Sequence, residues 1–222
     1  MSADRIAHLG IKGSYSYEAA LALFPEADLR GFPNFTDVVG AVDAGNADIV
    51  VIPVENSITG RIPDVHRMML TTQLQITDEH MLPVIHCFIR PQTPPSADVS
   101  GRRLKQLYSH QQGLLQCRSY IESHFPDVEL IELGDTASAV RAAAASKDPG
   151  VGAIGSASAA DAYGAVIVDE DIGDTSDNVT RFLVLVRPEV ARVPDDADMT
   201  TMIFQVQHYP GALLAALQVF QE

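Results

Sequence analysis

The sequence predicts an α/β protein of two similar lobes that face each other across a cleft. Three observations carry this. Short apolar runs alternate with segments of helical pattern. The order strand, helix, strand, helix, strand, polar turn occurs twice, with Ser14 answering to Ser109 and Thr36 to Thr136. In each half a polar turn, VENS at 54–57 and GSAS at 155–158, follows directly on a run apolar enough to be buried on both faces.

The elements follow in order. Residues 5–9 (RIAHL) read as a strand, 15–24 as a helix and 28–32 as a weak strand. Residues 36–44 read as a helix with Thr36 as its N-cap and Gly45 at its end. The run DIVVIPV at 48–54 is a buried strand, and Pro63 opens a helix over 63–71. Residues 74–90 are β-like, interrupted near Pro83, and the Pro-rich stretch 91–101 reads as a surface linker. In the second half, 104–108 is a strand. Ser109 opens a helix to about 124, with Ser109 and Gln112 as a capping box. A strand at 128–133, a helix from Thr136 to about 145, a strand at 151–155 and a helix from Ser156 complete the repeat. Residues 165–168 and 181–187 are further strands.

Composition narrows the function. The 222 residues suit one large domain or two lobes, at about 100–200 residues per domain. A hydrophobic fraction of 46% with 20% charged residues is that of a globular chain. The net charge of -14, from 29 Asp and Glu against 15 Lys and Arg, repels a polyanion, and the positive residues form no stripe, so nucleic acid is not expected as a partner. The first ten residues, MSADRIAHLG, show no basic and apolar signal pattern, and no apolar run approaches the roughly 18–20 residues of a membrane helix. A cytoplasmic protein with no membrane partner is therefore expected, with Cys87 and Cys117 as buried thiols.

Chemistry concentrates at four polar segments. G-I-K-G-S-Y-S at 10–16 is neither a P-loop nor a dinucleotide fingerprint. It reads as a turn in which Ser14 and backbone N–H groups hold a carboxylate. Glu55, Asn56 and Ser57 follow a buried strand, where unused polar groups are costly. Ser109, His110 and Gln112 form the third turn, and His110 can donate to an anion or exchange a proton. Thr180, Arg181 and Phe182 open an apolar strand and offer a hydroxyl, a fork suited to a carboxylate and a ring. There is no G-x-S-x-G elbow and no H-E-x-x-H, and Asp169–Asp171 reads as a solvated loop. Two lobes lined by such turns make a site for a small anion beyond the carboxyl ends of their strands.

At these segments the sequence resembles the prephenate dehydratase family. The matching pieces are G-x-x-G-S-Y-S at 10–16, P-V-E-N-S with Gly at 53–60, L-P-V-x-H-C at 82–87, S-H-x-Q-x-L-x-Q-C at 109–117, A-I-G-S-x-x-A-A-x-x-Y-G at 153–164 and N-x-T-R-F at 178–182. Any one is weak; six in this order are specific. The tail TTMIFQVQHYPGALLAAL at 200–217 resembles the opening strand and helix of an ACT domain. Ile11, Tyr17 and Gln111 depart from the family pattern.

The resemblance implies a lyase that converts prephenate to phenylpyruvate in phenylalanine biosynthesis, with no cofactor and no metal. It implies two lobes like those of a type II periplasmic binding protein, lobe 1 at about 1–80 plus 168–188 and lobe 2 at 81–167, then a linker at 189–199 and an incomplete ACT domain at 200–222. Thr180 is the implied catalytic residue. Ser14, Tyr15, Glu55, Asn56, Ser57, Ser109, His110, Gln112, Ser156, Arg181 and Phe182 are the implied substrate-binding residues. Tyr15 and Phe182 are expected as an apolar wall, and Glu55 or His110 as a proton relay. Phenylalanine is a regulator only with a complete ACT domain. No chorismate mutase helices precede residue 6, so a monofunctional chain is expected, and a homodimer is the implied assembly. The alternatives are an arogenate dehydratase and a non-catalytic small-anion binding protein of the same fold.

Overall fold

The computed structural model describes residues 4–92, 104–146, 148–192, 195 and 197–221. It divides into two units, residues 1–192 and 193–222. The first runs β1 (Arg5–Leu9), α1 (Tyr15–Leu23), β2 (Asp28–Phe32), α2 (Phe35–Asp43), β3 (Ile49–Asn56), β4 (Gly60–Arg61), α3 (Pro63–Met69) and β5 (Gln75–Pro83). It continues with β6 (Cys87–Arg90), β7 (Gln106–Ser109), α4 (Gln111–Gln116), α5 (Arg118–His124), β8 (Glu129–Glu132), α6 (Thr136–Ala145), β9 (Val151–Gly155), α7 (Ala157–Tyr163), β10 (Val166–Asp169) and β11 (Val179–Val186).

These strands form two sheets. The first has the order β2-β1-β3-β11-β5, with β4 paired to β3; the second is β10-β6-β9-β7-β8. In each, three strands from one half are parallel neighbours: β2, β1 and β3, then β8, β7 and β9. In the first sheet β11 runs antiparallel to β3 and β5 antiparallel to β11; in the second β6 runs antiparallel to β9 and β10 antiparallel to β6. The central strands are buried on both faces. Val50 and Ile52 of β3 pack with Val38, Val42 and Val65 under α2 and α3, while Val51 packs with Ile6, Ala19, Ala20 and Phe182 under α1. All five residues of β9 are buried. β2 and β8 are edge strands and correspondingly exposed.

The helix starts differ from expectation in instructive ways. Ser14 caps α1 as expected, accepting from Tyr17 N at 3.2 Å. In α2 the cap is Asn34 rather than Thr36, because its side chain reaches Asp37 N first, at 2.9 Å. In α6 it is Asp135 rather than Thr136; one carboxylate binds Ser138 N at 2.7 Å and the Ser138 hydroxyl at 2.6 Å. The expected capping box of Ser109 and Gln112 does not form. Ser109 is the last residue of β7 and gives its hydroxyl to Ile154 O at 2.9 Å, so His110 becomes the cap and its Nδ1 accepts from Gln112 N.

The single helix expected to about 124 is two helices. Asp174, from the segment leading back to β11, inserts between them: its N–H bonds Gln116 O at 2.7 Å and its carboxylate accepts from Ser119 N at 3.1 Å. That carboxylate supplies the cap that Cys117 does not give α5.

The lobe boundaries shift as well. β5 carries the first sheet to Pro83, past the expected change at 80/81, because it pairs with β11 along its whole length. β10 belongs to the second sheet, so the return to the first begins at Val179 rather than at 168. Most of the expected linker at 91–101 lies outside the described residues.

The second unit contains α8 (Ala212–Gln218). The strand expected at its start does not form: a strand takes its hydrogen bonds from a neighbour, and the described residues of this unit hold none. Among the described residues no helix is long and apolar enough to cross a membrane.

Two glycines separate crowding from propensity. A Cβ on Gly31 of β2 would lie 2.2 Å from Gly10 O, whereas one on Gly40 of α2 would meet nothing within 4 Å. Gly31→Ala is therefore expected to lower unfolding free energy by about 1–3 kcal/mol, and Gly40→Ala to raise it by about 0.5–1 kcal/mol. Urea denaturation of both variants checks the pair.

Candidate active site

The chain passes between the two sheets twice, at 84–86 and at 170–178. The two crossovers bond to each other, Val84 N to Asn178 O at 2.8 Å and Ile172 N to His86 O at 3.0 Å. Beside them, a chain of buried and half-buried polar side chains runs from one lobe to the other.

It begins at Thr180, which sits opposite Asn56 in the register of β11 and β3. Asn56 Oδ1 accepts the N–H groups of Ile58 and Thr59, each at 3.0 Å, so the other end of this amide is its NH2. That NH2 donates to Thr180 Oγ1 at 3.0 Å and to Asn178 Oδ1 at 2.7 Å. Asn178 Nδ2 donates to Gln116 Oε1 at 3.1 Å, and His86 Nε2 lies 2.7 Å from the same oxygen. His86 Nδ1 is 3.0 Å from the Tyr15 hydroxyl, which is 2.9 Å from Ile85 O. Burial lowers the pKa of His86 and raises that of Tyr15 well above its ordinary value, so the ring is neutral and the phenol protonated. Because Thr180 Oγ1 accepts from Asn56, its own hydrogen is left for another acceptor.

The four serines of the turns hold main chain. Ser14 Oγ donates to Leu9 O at 3.1 Å, Ser57 to Asp177 O at 2.6 Å, Ser109 to Ile154 O and Ser156 to Gly13 O, both at 2.9 Å. Ser57 also accepts from Val179 N, tying the second turn to the start of β11. Ser156, with the Tyr163 hydroxyl on Lys12 O at 2.8 Å, joins α7 of the second lobe to the first turn. Gly13 permits that contact: a Cβ there would stand 2.6 Å from Ala159 Cα.

Several expected site residues lie elsewhere. Arg181 and Thr180 point to opposite faces of β11, and Arg181 forms an ion pair with Glu79 of β5, its Nε 2.8 Å from Oε2. Glu55 is exposed and opposes Arg181 in the register, away from Thr180, which removes it as a relay. Phe182 is 1% exposed, packed among Ile6, Ala19, Ala20 and Val51, so it supports the site from within the core rather than facing a ligand. The Gln112 side chain is exposed, and His110 spends Nδ1 as a helix cap. Conversely, His86, Gln116 and Asn178 are members of the site that the turn-by-turn reading passed over. Each stands inside a matching motif, and it was their place just outside the turns that hid them.

A cavity of about 750 Å³ opens beside this chain, lined by Glu18 and Leu21 of α1, Leu82 and Ile85, and Ser156 and Asp161 at α7. Ser156 is the one expected site residue on its wall. Glu18 is largely buried, which raises its carboxyl above the usual range. Both thiols are buried, and burial pushes Cys117 up to about 12, so neither is a nucleophile.

Comparison with known proteins adds the following. A family model described as prephenate dehydratase matches residues 6–190. The bifunctional chorismate mutase/prephenate dehydratase of Aquifex aeolicus (strain VF5) is 35% identical over 218 residues, 97% of this chain and 57% of that protein. The crystal structure of prephenate dehydratase from Arthrobacter aurescens, in complex with L-Phe, superposes with a TM-score of 0.80 at 25% identity, over 98% of this chain and 71% of that one. A structure described as GqqA, a novel type of quorum-quenching acylase, has a TM-score of 0.76 at 26% identity, over 96% of this chain and 75% of its own. The chain spans about half the length of the curated relatives it matches.

The buried histidines set a pH dependence. Burial lowers His8 and His86 below the ordinary value near 6.5. The unfolded chain then binds protons that the native state resists, so this contribution to stability is full above about pH 6.5 and is lost as the pH falls below it. Glu18, with its raised pKa, acts in the opposite sense at lower pH. The urea midpoint is expected to fall between pH 7 and pH 5.5, and to fall less in His86→Gln.

Proposed function

Since the chain belongs to the prephenate dehydratase family, we propose that it carries the dehydratase reaction itself, converting prephenate to phenylpyruvate. The observation that carries this is the bond from Asn56 Nδ2 to Thr180 Oγ1, which turns a neutral threonine into a directed donor. Prephenate is a dianion with a hydroxyl and a carboxylate at opposite ends of a cyclohexadiene. Its ring carboxylate leaves as carbon dioxide, the electron pair moves through the ring, and hydroxide departs as the ring becomes aromatic. The hydrogen of Thr180 bonds the departing oxygen as its charge develops, and a proton delivered there completes water. Such assistance is typically worth about 10²–10⁴-fold.

The substrate carboxylates fall to the turns. The first two N–H groups of α1, at Tyr15 and Ser16, and of α7, at Ala157 and Ser158, have no partner within their helices. Ser14, Ser57, Ser109 and Ser156 serve by fixing the turns that carry such groups. Tyr15, backed by Phe182 and beside Leu82, is the apolar surface next to the ring.

Two other readings are less well supported. An acylase would activate a nucleophile with a base, but the four serines of the turns donate to main-chain carbonyls. A protein that only binds an anion has no use for an oriented threonine donor. Phenylalanine acts on this chain only if a complete ACT domain accompanies it.

Phenylpyruvate formation from prephenate and phenylalanine formation from arogenate, assayed side by side, test the proposal. Thr180→Ala is expected to lower turnover by about 10²–10⁴-fold while binding of unreacted substrate changes by less than about threefold; Thr180→Ser, which keeps the hydroxyl, should retain most activity. Unchanged turnover in Thr180→Ala would refute the role of Thr180, and turnover of arogenate alone would move the substrate to the amino analogue.

A further inference from the structure

His86 is 3% exposed, and three amides separate it from Thr180. Its position in the chain of bonds nevertheless decides how those amides face. Gln116 Oε1 accepts from Asn178 Nδ2 and stands 2.7 Å from His86 Nε2. A bare nitrogen there would set two lone pairs against each other, so Nε2 carries the hydrogen, and Nδ1, without one, shares the Tyr15 hydroxyl hydrogen with Ile85 O. Should the Gln116 amide turn over, its NH2 would face the NH2 of Asn178, donor against donor. The ring N–H of His86 therefore holds Gln116 with its oxygen toward Asn178. Asn178 is then held from both sides, its NH2 by Gln116 and its oxygen by the Asn56 NH2, which the backbone N–H groups of Ile58 and Thr59 turn toward Asn178 and Thr180. The ring is neutral through burial, and it packs edge-on against Tyr15 with centroids 5.8 Å apart.

We propose that His86 is a positioning residue for the dehydration step: its Nε2–H holds the Gln116 and Asn178 amides in the orientation that the backbone-fixed Asn56 NH2 requires, and thereby leaves the Thr180 hydroxyl hydrogen directed at the substrate. The inference rests on the reading of Thr180 as the donor to the leaving hydroxyl. Loss of the ring N–H frees Gln116 to turn, and Asn178 then presents an unmatched group beside Asn56. Substrate binding at the turns is not involved, so the effect belongs in kcat.

Two isosteric replacements test this. Gln carries an N–H near the position of Nε2, whereas Asn carries one near that of Nδ1. His86→Gln is expected to keep kcat within about fivefold of the parent, and His86→Asn to lower it about 10–100-fold with KM changed by less than about threefold. In an Asn178→Ala background the difference between the two should vanish, because the link they act through is gone. Equal losses in the two variants, a change in KM instead of kcat, or the same difference with and without Asn178 would overturn the proposal. The side-chain amide resonances of Asn56 and Asn178 in the ligand-free protein give a readout that needs no turnover: they should shift in His86→Asn and stay in place in His86→Gln. Those shifts without any reaction of prephenate in the parent enzyme would sink the assigned reaction and leave the coupling standing. Unmoved resonances in both variants would sink the coupling.

Discussion

A buried amide finds a partner for both of its ends or costs about 1–3 kcal/mol for each group left unmatched. Asn56 meets this condition in one way only. Its oxygen is taken by two backbone N–H groups of the turn after β3, so its nitrogen must find acceptors, and it finds Asn178, Thr180 and, at 3.3 Å, Val179 O. From there the same condition passes through Gln116 and His86 to Tyr15, across both lobes. In a buried, low-dielectric setting such a network is strong when complete and expensive when broken. The lobes, the two crossovers and the Thr180 hydroxyl proposed to react are therefore held by one set of bonds.

The turns are built around the same economy of donors. Each serine spends its hydrogen on a carbonyl of the main chain, which fixes the backbone and, in the proposed reaction, leaves the substrate's carboxylates to N–H groups at the helix starts. That division suits a protein with a net charge of -14 whose proposed substrate is a dianion. A cation at the site would otherwise carry the attraction, yet Arg181 is paired with Glu79 on the far face of β11. Asp174 shows the same logic in the second lobe, where a carboxylate from the returning crossover ends α4 and starts α5.

Much of this was legible in the sequence. Periodicity alone placed the strands and helices, and the repeated order of elements placed two sheets with their polar turns at matching ends. What periodicity cannot see is which of two neighbouring polar residues reaches a helix end first, hence Asn34 and Asp135 in place of Thr36 and Thr136. Nor can it see contacts made from far along the chain. Asp174 splits a helix some fifty residues before it, and Arg181 finds Glu79 across a strand pair. Strand alternation did hold one clue: if Thr180 faces the site, Arg181 does not. The polar turns offered Thr180 and Asn56 and the family resemblance gave Thr180 its implied role, while His86, Gln116 and Asn178 became part of the candidate site only once the crossovers brought them together.

The central claim concerns a single hydrogen, and neutron diffraction of the deuterated, ligand-free protein observes it directly. The account predicts two deuterium atoms on Asn56 Nδ2, one of them on the line to Thr180 Oγ1, and the Thr180 deuterium directed away from Asn56. A Thr180 deuterium lying between Oγ1 and the Asn56 side chain, with no amide deuterium there, would contradict it.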